Sequence, residues 1–247
     1  MNECKNELKE YIEKNLESNF NKVITVKNND KSKIYIFEHN DSGKKILQRI
    51  SANRNDDVFR TLIKIKSNNL VNILEVCSDD DSLIVLEKYV EGTNLYELLK
   101  KGILDKKIAL KYTANICDAL IALHKNGIVH RDIKPENIII TKEDNAVLID
   151  FSIARKINGN EESDTDNLGT VGYAAPEQYG ITQSNKTTDI YSLGVLLNIM
   201  LTGEHPAVTV PNGPIKKIIN KATATQISKR YQSVEQMKKG LILFSHI

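Results

Sequence analysis

His130-Arg131-Asp132-Ile133-Lys134-Pro135-Glu136-Asn137 opens the stretch that decides the fold, and Val147-Leu148-Ile149-Asp150-Phe151-Ser152 closes it. Between them, two apolar runs, Ile138–Ile140 and Ala146–Ile149, flank the polar segment Thr141–Asn145. Such a pattern predicts a buried β-hairpin with a polar turn. Asp132, Lys134, Asn137 and Asp150 stand just outside that hairpin. Phosphoryl transfer needs such a set: an acid to orient an attacking hydroxyl, a cation on the moving phosphate, and two oxygen ligands for Mg²⁺.

Working outward, Gly169-Thr170-Val171-Gly172-Tyr173-Ala174-Ala175-Pro176-Glu177 follows, then Asp189-Ile190-Tyr191-Ser192-Leu193-Gly194, then Lys229-Arg230-Tyr231-Gln232-Ser233. In this order the segments resemble the catalytic loop, activation-segment end, buried helix and late arginine motif of the eukaryotic-type (bacterial) Ser/Thr protein kinases. The resemblance spans about residues 20–244, and Ser152 replaces the glycine of D-F-G. It implies an α+β, bilobed protein-kinase-like fold: a small antiparallel β-sheet lobe with one helix, about 20–88, a hinge at 88–94, and a mainly helical lobe from about 95 to 247. The whole chain, 1–247, is then one kinase domain.

The resemblance also implies roles. Asp132 orients the hydroxyl, Lys134 steadies the γ-phosphate, and Asn137 and Asp150 hold Mg²⁺. The backbone of Lys88 and Val90 meets adenine, with Asn94 and Ile139 also at the nucleotide. Glu87 falls where the family limits its pocket, and a dry carboxylate there needs a partner. Glu177 pairs with Arg230, while Asp189 belongs to the structural set. His130 packs against Phe151 and is no general base; His124 is structural. Arg131 and Arg155 gather around an activation-segment charge. Counting back from Thr170 puts that charge on Asp166, beside Thr165 and close to Ser163.

Toward the N-terminus the pattern departs from the family. Residues 3–18 carry Leu8, Ile12 and Leu16 four apart, which predicts an amphipathic helix packed on its own domain. Strands are expected at Val23–Val26, Lys33–Glu38, Lys44–Ile50, Ile73–Cys77 and Leu83–Lys88. The turn Lys27–Ser32 contains no glycine, although the family covers the ATP phosphates with a glycine-rich loop. No lysine occupies the family's third-strand position. Counting from Ile50 puts Gln48 there; counting from Gly43 puts Arg49 there. Faces alternate along a strand, so only one of them points at the nucleotide. Arg49 carries the charge and a two-pronged grip on oxyanions, with Asp57 as the expected partner. A helix over 54–66, with Val58, Leu62 and Ile65 on one face, offers Asp56 and Asp57 but no glutamate. A core helix is read from Asp105 to His124, with Ile108, Tyr112, Ile116, Leu120 and Leu123 on its buried stripe.

The bulk properties agree with this reading. The net charge of +2 gives no electrostatic case for nucleic acid. No apolar run approaches the ~20 residues of a membrane helix, and the charged start is not that of a signal peptide. Cys4, Cys77 and Cys117 form no disulfide or metal pattern and suit a reducing, cytoplasmic compartment. The expected cofactors are ATP and Mg²⁺, and the expected partner is a protein bearing Ser or Thr. Two alternatives stay open: a pseudokinase serving as a binding scaffold, and a small-molecule kinase of related fold, suggested by Ile46-Leu47-Gln48-Arg49-Ile50.

Overall fold

A computed structural model describes residues 2–29, 32–51, 55–78, 82–157, 169–179 and 184–245. The chain divides into two compact units, 1–66 with 71–90, and 67–70 with 91–247.

In the first unit, helix α1 (Asn2–Asn19) runs into strand β1 (Phe20–Asn29), followed by β2 (Ser32–His39) and β3 (Lys45–Ser51). Helix α2 (Asp56–Leu62), β4 (Ile73–Ser78) and β5 (Leu83–Lys88) complete it. The strands form an antiparallel sheet in the order β1-β2-β3-β5-β4. Ile12 and Leu16 of α1 are buried in a cluster with Phe37, Cys77 and Ile84, against which Tyr35, Ile46, Ile50 and Leu86 pack. Thus α1 packs on its own domain and covers one face of the sheet. Strands β1 and β2 are longer than the sequence pattern suggests, and Asn29 accepts the Ser32 amide on its side-chain oxygen at 2.9 Å. Helix α2 is shorter than expected, with Val58, Phe59 and Leu62 buried. Ile65 lies beyond its end.

The parity of β3 follows from the register. Gln48 lies opposite Tyr35 and Leu86, so it shares the face that α1 covers. Arg49 lies opposite Ile34 and Val85, on the other face. Opposed residues on neighbouring strands point the same way, so this assignment rests on the ladder itself.

The second unit begins with β6 (Gly92–Asn94) and α3 (Leu95–Leu99). Helix α4 (Lys106–Lys125) is capped by Asp105, whose carboxylate accepts the Lys107 amide at 2.8 Å. Tyr112, Ile116, Leu120 and Leu123 are buried as expected, but Ile108 is 38% exposed. Each four-residue step rotates by about 40° beyond a full turn, so a stripe centred on Ile116 and Leu120 has swung outward by Ile108. Strands β7 (Ile128–Val129), β8 (Ile138–Thr141), β9 (Ala146–Leu148) and β10 (Arg155–Lys156) follow. The predicted hairpin is β8–β9, and it extends to β6. Residues 67–70 join this unit because Leu70 bridges Leu148 and the Asn69 side-chain amide donates to Ala146 O at 2.9 Å.

Helix α5 (Lys186–Thr202) is buried nearly all round, opens on a capping box at Asn185 and Thr188, and ends at left-handed Gly203. Helices α6 (Ile215–Ala222) and α7 (Val234–Ser245) pack beside it. Among the described residues, no helix is long and apolar enough to cross a membrane.

Candidate active site

The loop between β7 and β8 is pinned from below by one buried carboxylate. Asp189, at the start of α5, accepts the His130 amide at 3.0 Å, the Arg131 amide at 2.8 Å and the His124 ring Nε2 at 2.8 Å. Burial pushes its carboxyl pKa up, but His124, His130 and the Arg131 amide outweigh that and hold it below the ordinary range. Arg131 is left-handed, with φ of 71°, which strains a residue with a side chain. Its carbonyl accepts the Gln178 side-chain amide at 2.9 Å, so both ends of the strained residue are held.

His130 is fully buried and its pKa is lowered by that burial, against the pull of Asp189 and other carboxylates. Its Nδ1 accepts the Asp132 amide at 3.3 Å, and Nε2 faces Ile149 O at 3.3 Å. This geometry assigns the ring proton to Nε2 and leaves no lone pair for catalysis. Its ring meets Phe151 edge-on, at 5.1 Å and 62°, so the contact is T-shaped and not a parallel stack.

The pinned loop presents a small triangle of polar groups. Thr170 Oγ1 donates to Asp132 Oδ1 at 2.7 Å and accepts from Lys134 Nζ at 2.7 Å. Lys134 Nζ also lies 2.8 Å from Asp132 Oδ2. Asn137 Nδ2 donates to both Asp132 O and Oδ2 at 2.9 Å. Asp132 therefore already holds an alcohol on one oxygen and a cation on the other. Gly169 is required beside Thr170: its φ is 139°, and an added Cβ would lie 2.7 Å from Ala174 Cβ.

Asn137 O accepts the Ile149 amide at 2.9 Å, which fixes Asn137 next to the residue preceding Asp150. Because the Asn137 amide nitrogen is turned toward Asp132, its side-chain oxygen points the other way. That oxygen and the Asp150 carboxylate are a hard pair suited to Mg²⁺, which keeps water and phosphate as its other ligands. Among the described residues no group of three or more His, Cys, Asp or Glu is placed to hold a metal. Asp150 itself is left-handed, with φ of 64°, and accepts the Ser152 amide at 3.1 Å. Ser152 is not left-handed, so it avoids the penalty that a glycine-to-serine change would bring there.

Other residues fall as follows. Glu177 and Arg230 form a bidentate pair, Nη1–Oε1 2.6 Å and Nη2–Oε2 2.8 Å, almost wholly out of water. Burial raises the Glu177 pKa, yet Arg230 and the Thr188 hydroxyl bring it below the usual carboxylate range. Asn94 caps α3 through the Tyr96 amide at 2.9 Å and donates to Glu136 O at 2.7 Å, so both its polar atoms position the backbone. Ile139 is half-buried in β8, and Arg155 is half-buried in β10, paired with Val129. In the first unit, the Lys88 amide donates to Asn72 O at 2.9 Å, so any base contact by Lys88 falls to its carbonyl. Ser163, Thr165 and Asp166 lie outside the described residues.

Sequence reasoning missed the partner of Arg49. Its Nε lies 3.4 Å from Glu87 Oε1, and both residues are buried. Asp57, the expected partner, uses Oδ1 to accept the Val58 amide at 2.8 Å. The signal was Glu87 itself, a carboxylate that follows the buried run Leu83–Val85 in β5. Gln178 was also missed, and its only signal is its place directly after Glu177.

An antiparallel-sheet unit and a helical unit carrying such a loop define an α+β fold of the protein-kinase type. A family model described as the protein kinase domain matches residues 17–244, beginning near the end of α1. The chain is 34% identical over 228 residues to serine/threonine-protein kinase PrkC of Bacillus subtilis (strain 168), covering 80% of this chain and 35% of the relative. It is 37% identical over 147 residues to a probable serine/threonine-protein kinase of Clostridium perfringens (strain 13 / Type A), covering 59% and 22%. It is 33% identical over 189 residues to serine/threonine-protein kinase cds1 of Schizosaccharomyces pombe, covering 72% and 41%. The chain belongs to the protein kinase family. It spans less than half the length of these three relatives.

Proposed function

We propose that this chain is an ATP-dependent serine/threonine protein kinase acting in the cytoplasm. The observation that carries the reading is the Asp132–Thr170–Lys134 triangle, in which a carboxylate accepts an alcohol proton at 2.7 Å while a lysine sits on both. A substrate Ser or Thr hydroxyl bound like that of Thr170 donates its hydrogen bond to Asp132 Oδ1. Lys134 offsets charge on the transferred phosphate. Asn137 and Asp150 hold Mg²⁺, which supplies charge neutralisation on the phosphates when bound. In the first unit, the Lys88 carbonyl and Val90 amide recognise adenine, and Arg49 grips the phosphates. On the activation segment, Asp166 or a phosphate on Thr165 provides the anion for Arg131 and Arg155. The buried Cys77 and Cys117 suit a reducing compartment.

The test is incubation of the purified chain with Mg²⁺ and γ-labelled ATP, alone and with a basic protein substrate. Label on Ser or Thr is the expected result, and mass spectrometry of the chain is expected to find phosphate at Thr165 or Ser163. Nucleotide binding without any transfer would make the chain a pseudokinase; label on a small molecule alone would make it a small-molecule kinase.

A further inference from the structure

Arg49 and Glu87 are 8% and 3% exposed, on the sheet face opposite α1. They occupy diagonal positions on adjacent antiparallel strands: Arg49 opposes Val85, and Glu87 opposes Leu47. Their Nε–Oε1 separation is 3.4 Å. Removing two ions from water is costly, and apolar residues of similar volume commonly do as well or better for stability. A pair retained in such a place calls for a reason other than stability. The guanidinium is charged at any working pH, so Glu87 is not there to keep it protonated. What a carboxylate at Nε does is fix the plane of the guanidinium. The two terminal nitrogens, which form the two-pronged grip on an oxyanion, then point in one direction.

We propose that Glu87 is the positioning residue for Arg49, fixing its guanidinium from within the sheet so that it meets the phosphates of the nucleotide. This rests on the kinase reading of Arg49 as the phosphate contact. Helix α2 offers only aspartates near the family's position, and Asp57 is engaged with the Val58 amide. The orienting carboxylate has thus moved from a helix to the neighbouring strand.

The experiment is calorimetric titration of the purified chain with Mg·ATP and, separately, with adenosine, which has no phosphates. Glu87→Gln keeps the shape and loses the charge. It is expected to weaken Mg·ATP about tenfold, the usual effect of losing a charge-assisted hydrogen bond, and to leave adenosine unchanged. In an Arg49→Ala background, Glu87→Gln is expected to change neither. A general disturbance of the fold would weaken both ligands in both backgrounds and would overturn the proposal. Thermal unfolding checks the variants, and should Glu87→Gln not fold, Arg49→Lys keeps the charge but loses Nε and is expected to give the same phosphate-specific loss. Unchanged Mg·ATP binding in whichever variant folds would refute the role of Glu87 while leaving the kinase reading intact. Phosphate-specific loss in a chain that transfers no phosphate would support Glu87 and refute the kinase reading. No binding of either ligand to the parent chain would refute both.

Discussion

In the second unit, Asp132, Lys134 and Asn137 sit within one short loop and bond to one another, and Asp189 and Gln178 hold the loop's backbone from outside. In the first unit, Arg49 meets a partner 38 residues away on another strand. The first arrangement depends on spacing along the chain. The second depends on strand parity and register. A loop of the first kind tolerates change elsewhere as long as its anchors hold. A pair of the second kind fails with any slip of β3 against β5, because a one-residue shift reverses which face each side chain takes.

Substitutions separate the two arrangements. The largest effect is expected in the loop. Asp132→Ala should lower turnover by roughly 10²–10⁴ with nucleotide affinity largely kept, whereas Asp150→Ala should weaken Mg·ATP binding itself. Steady-state kinetics with parallel binding measurements distinguish these, and parental turnover in both would remove the loop from the mechanism. Next is the anchor of the second unit. Arg230→Ala leaves Glu177 buried without its cation and should destabilise the fold by about 3–5 kcal/mol, read from denaturant unfolding. A loss as small as that of a surface change would mean that the bidentate pair is not formed in solution.

The sharpest test of parity is smaller. Arg49→Ala should reduce phosphate transfer on the order of 10²–10³, as removal of one aimed donor does, while Gln48→Ala, on the face covered by α1, should leave transfer nearly unchanged. The reverse result would break the register assignment. Indifference to both would leave the phosphates without a strand cation and favour a pseudokinase.

A weaker dependence follows from His130. Its folded pKa lies below that of the unfolded chain, near 6.5. Above that pH both states are neutral and its contribution is constant. As pH falls through about 6.5 toward the folded value, the unfolded chain takes up a proton that the folded one refuses, and stability declines. Unfolding free energy measured from pH 7.5 to 5.5 should fall, and less steeply in His130→Phe. The smallest effect is expected at Ser152. Since it is not left-handed, Ser152→Gly should change stability by no more than about 1 kcal/mol and should not raise turnover.

Much of the second unit was readable because its elements announce themselves locally. The hairpin β8–β9 has apolar runs around a polar turn, α4 has a stripe and a cap, and α5 is apolar on all sides. The parity of β3 was not readable, because Ile46, Leu47 and Ile50 place apolar residues on both faces and no alternation is visible. Only the packing of Ile12 and Leu16 onto Ile46 and Ile50 distinguishes the two faces. Glu87 was readable as a dry carboxylate in need of a partner, but not as the partner of Arg49, since nothing in sequence links residues that meet only through strand pairing. Ile108 was misplaced because a stripe followed at four-residue steps drifts around the helix.

The position of Glu87 also bears on control. A cation aligned by a separate helix is released when that helix swings away, which gives an on–off device at little structural expense. Here Arg49 and Glu87 stand on strands joined by paired backbone from Ile46–Lys88 through Ser51–Leu83. Moving their backbones apart means tearing a ladder, a far less accessible motion than rotating a helix. The alignment of Arg49 by Glu87 is thereby built into the sheet and does not require a carboxylate from α2.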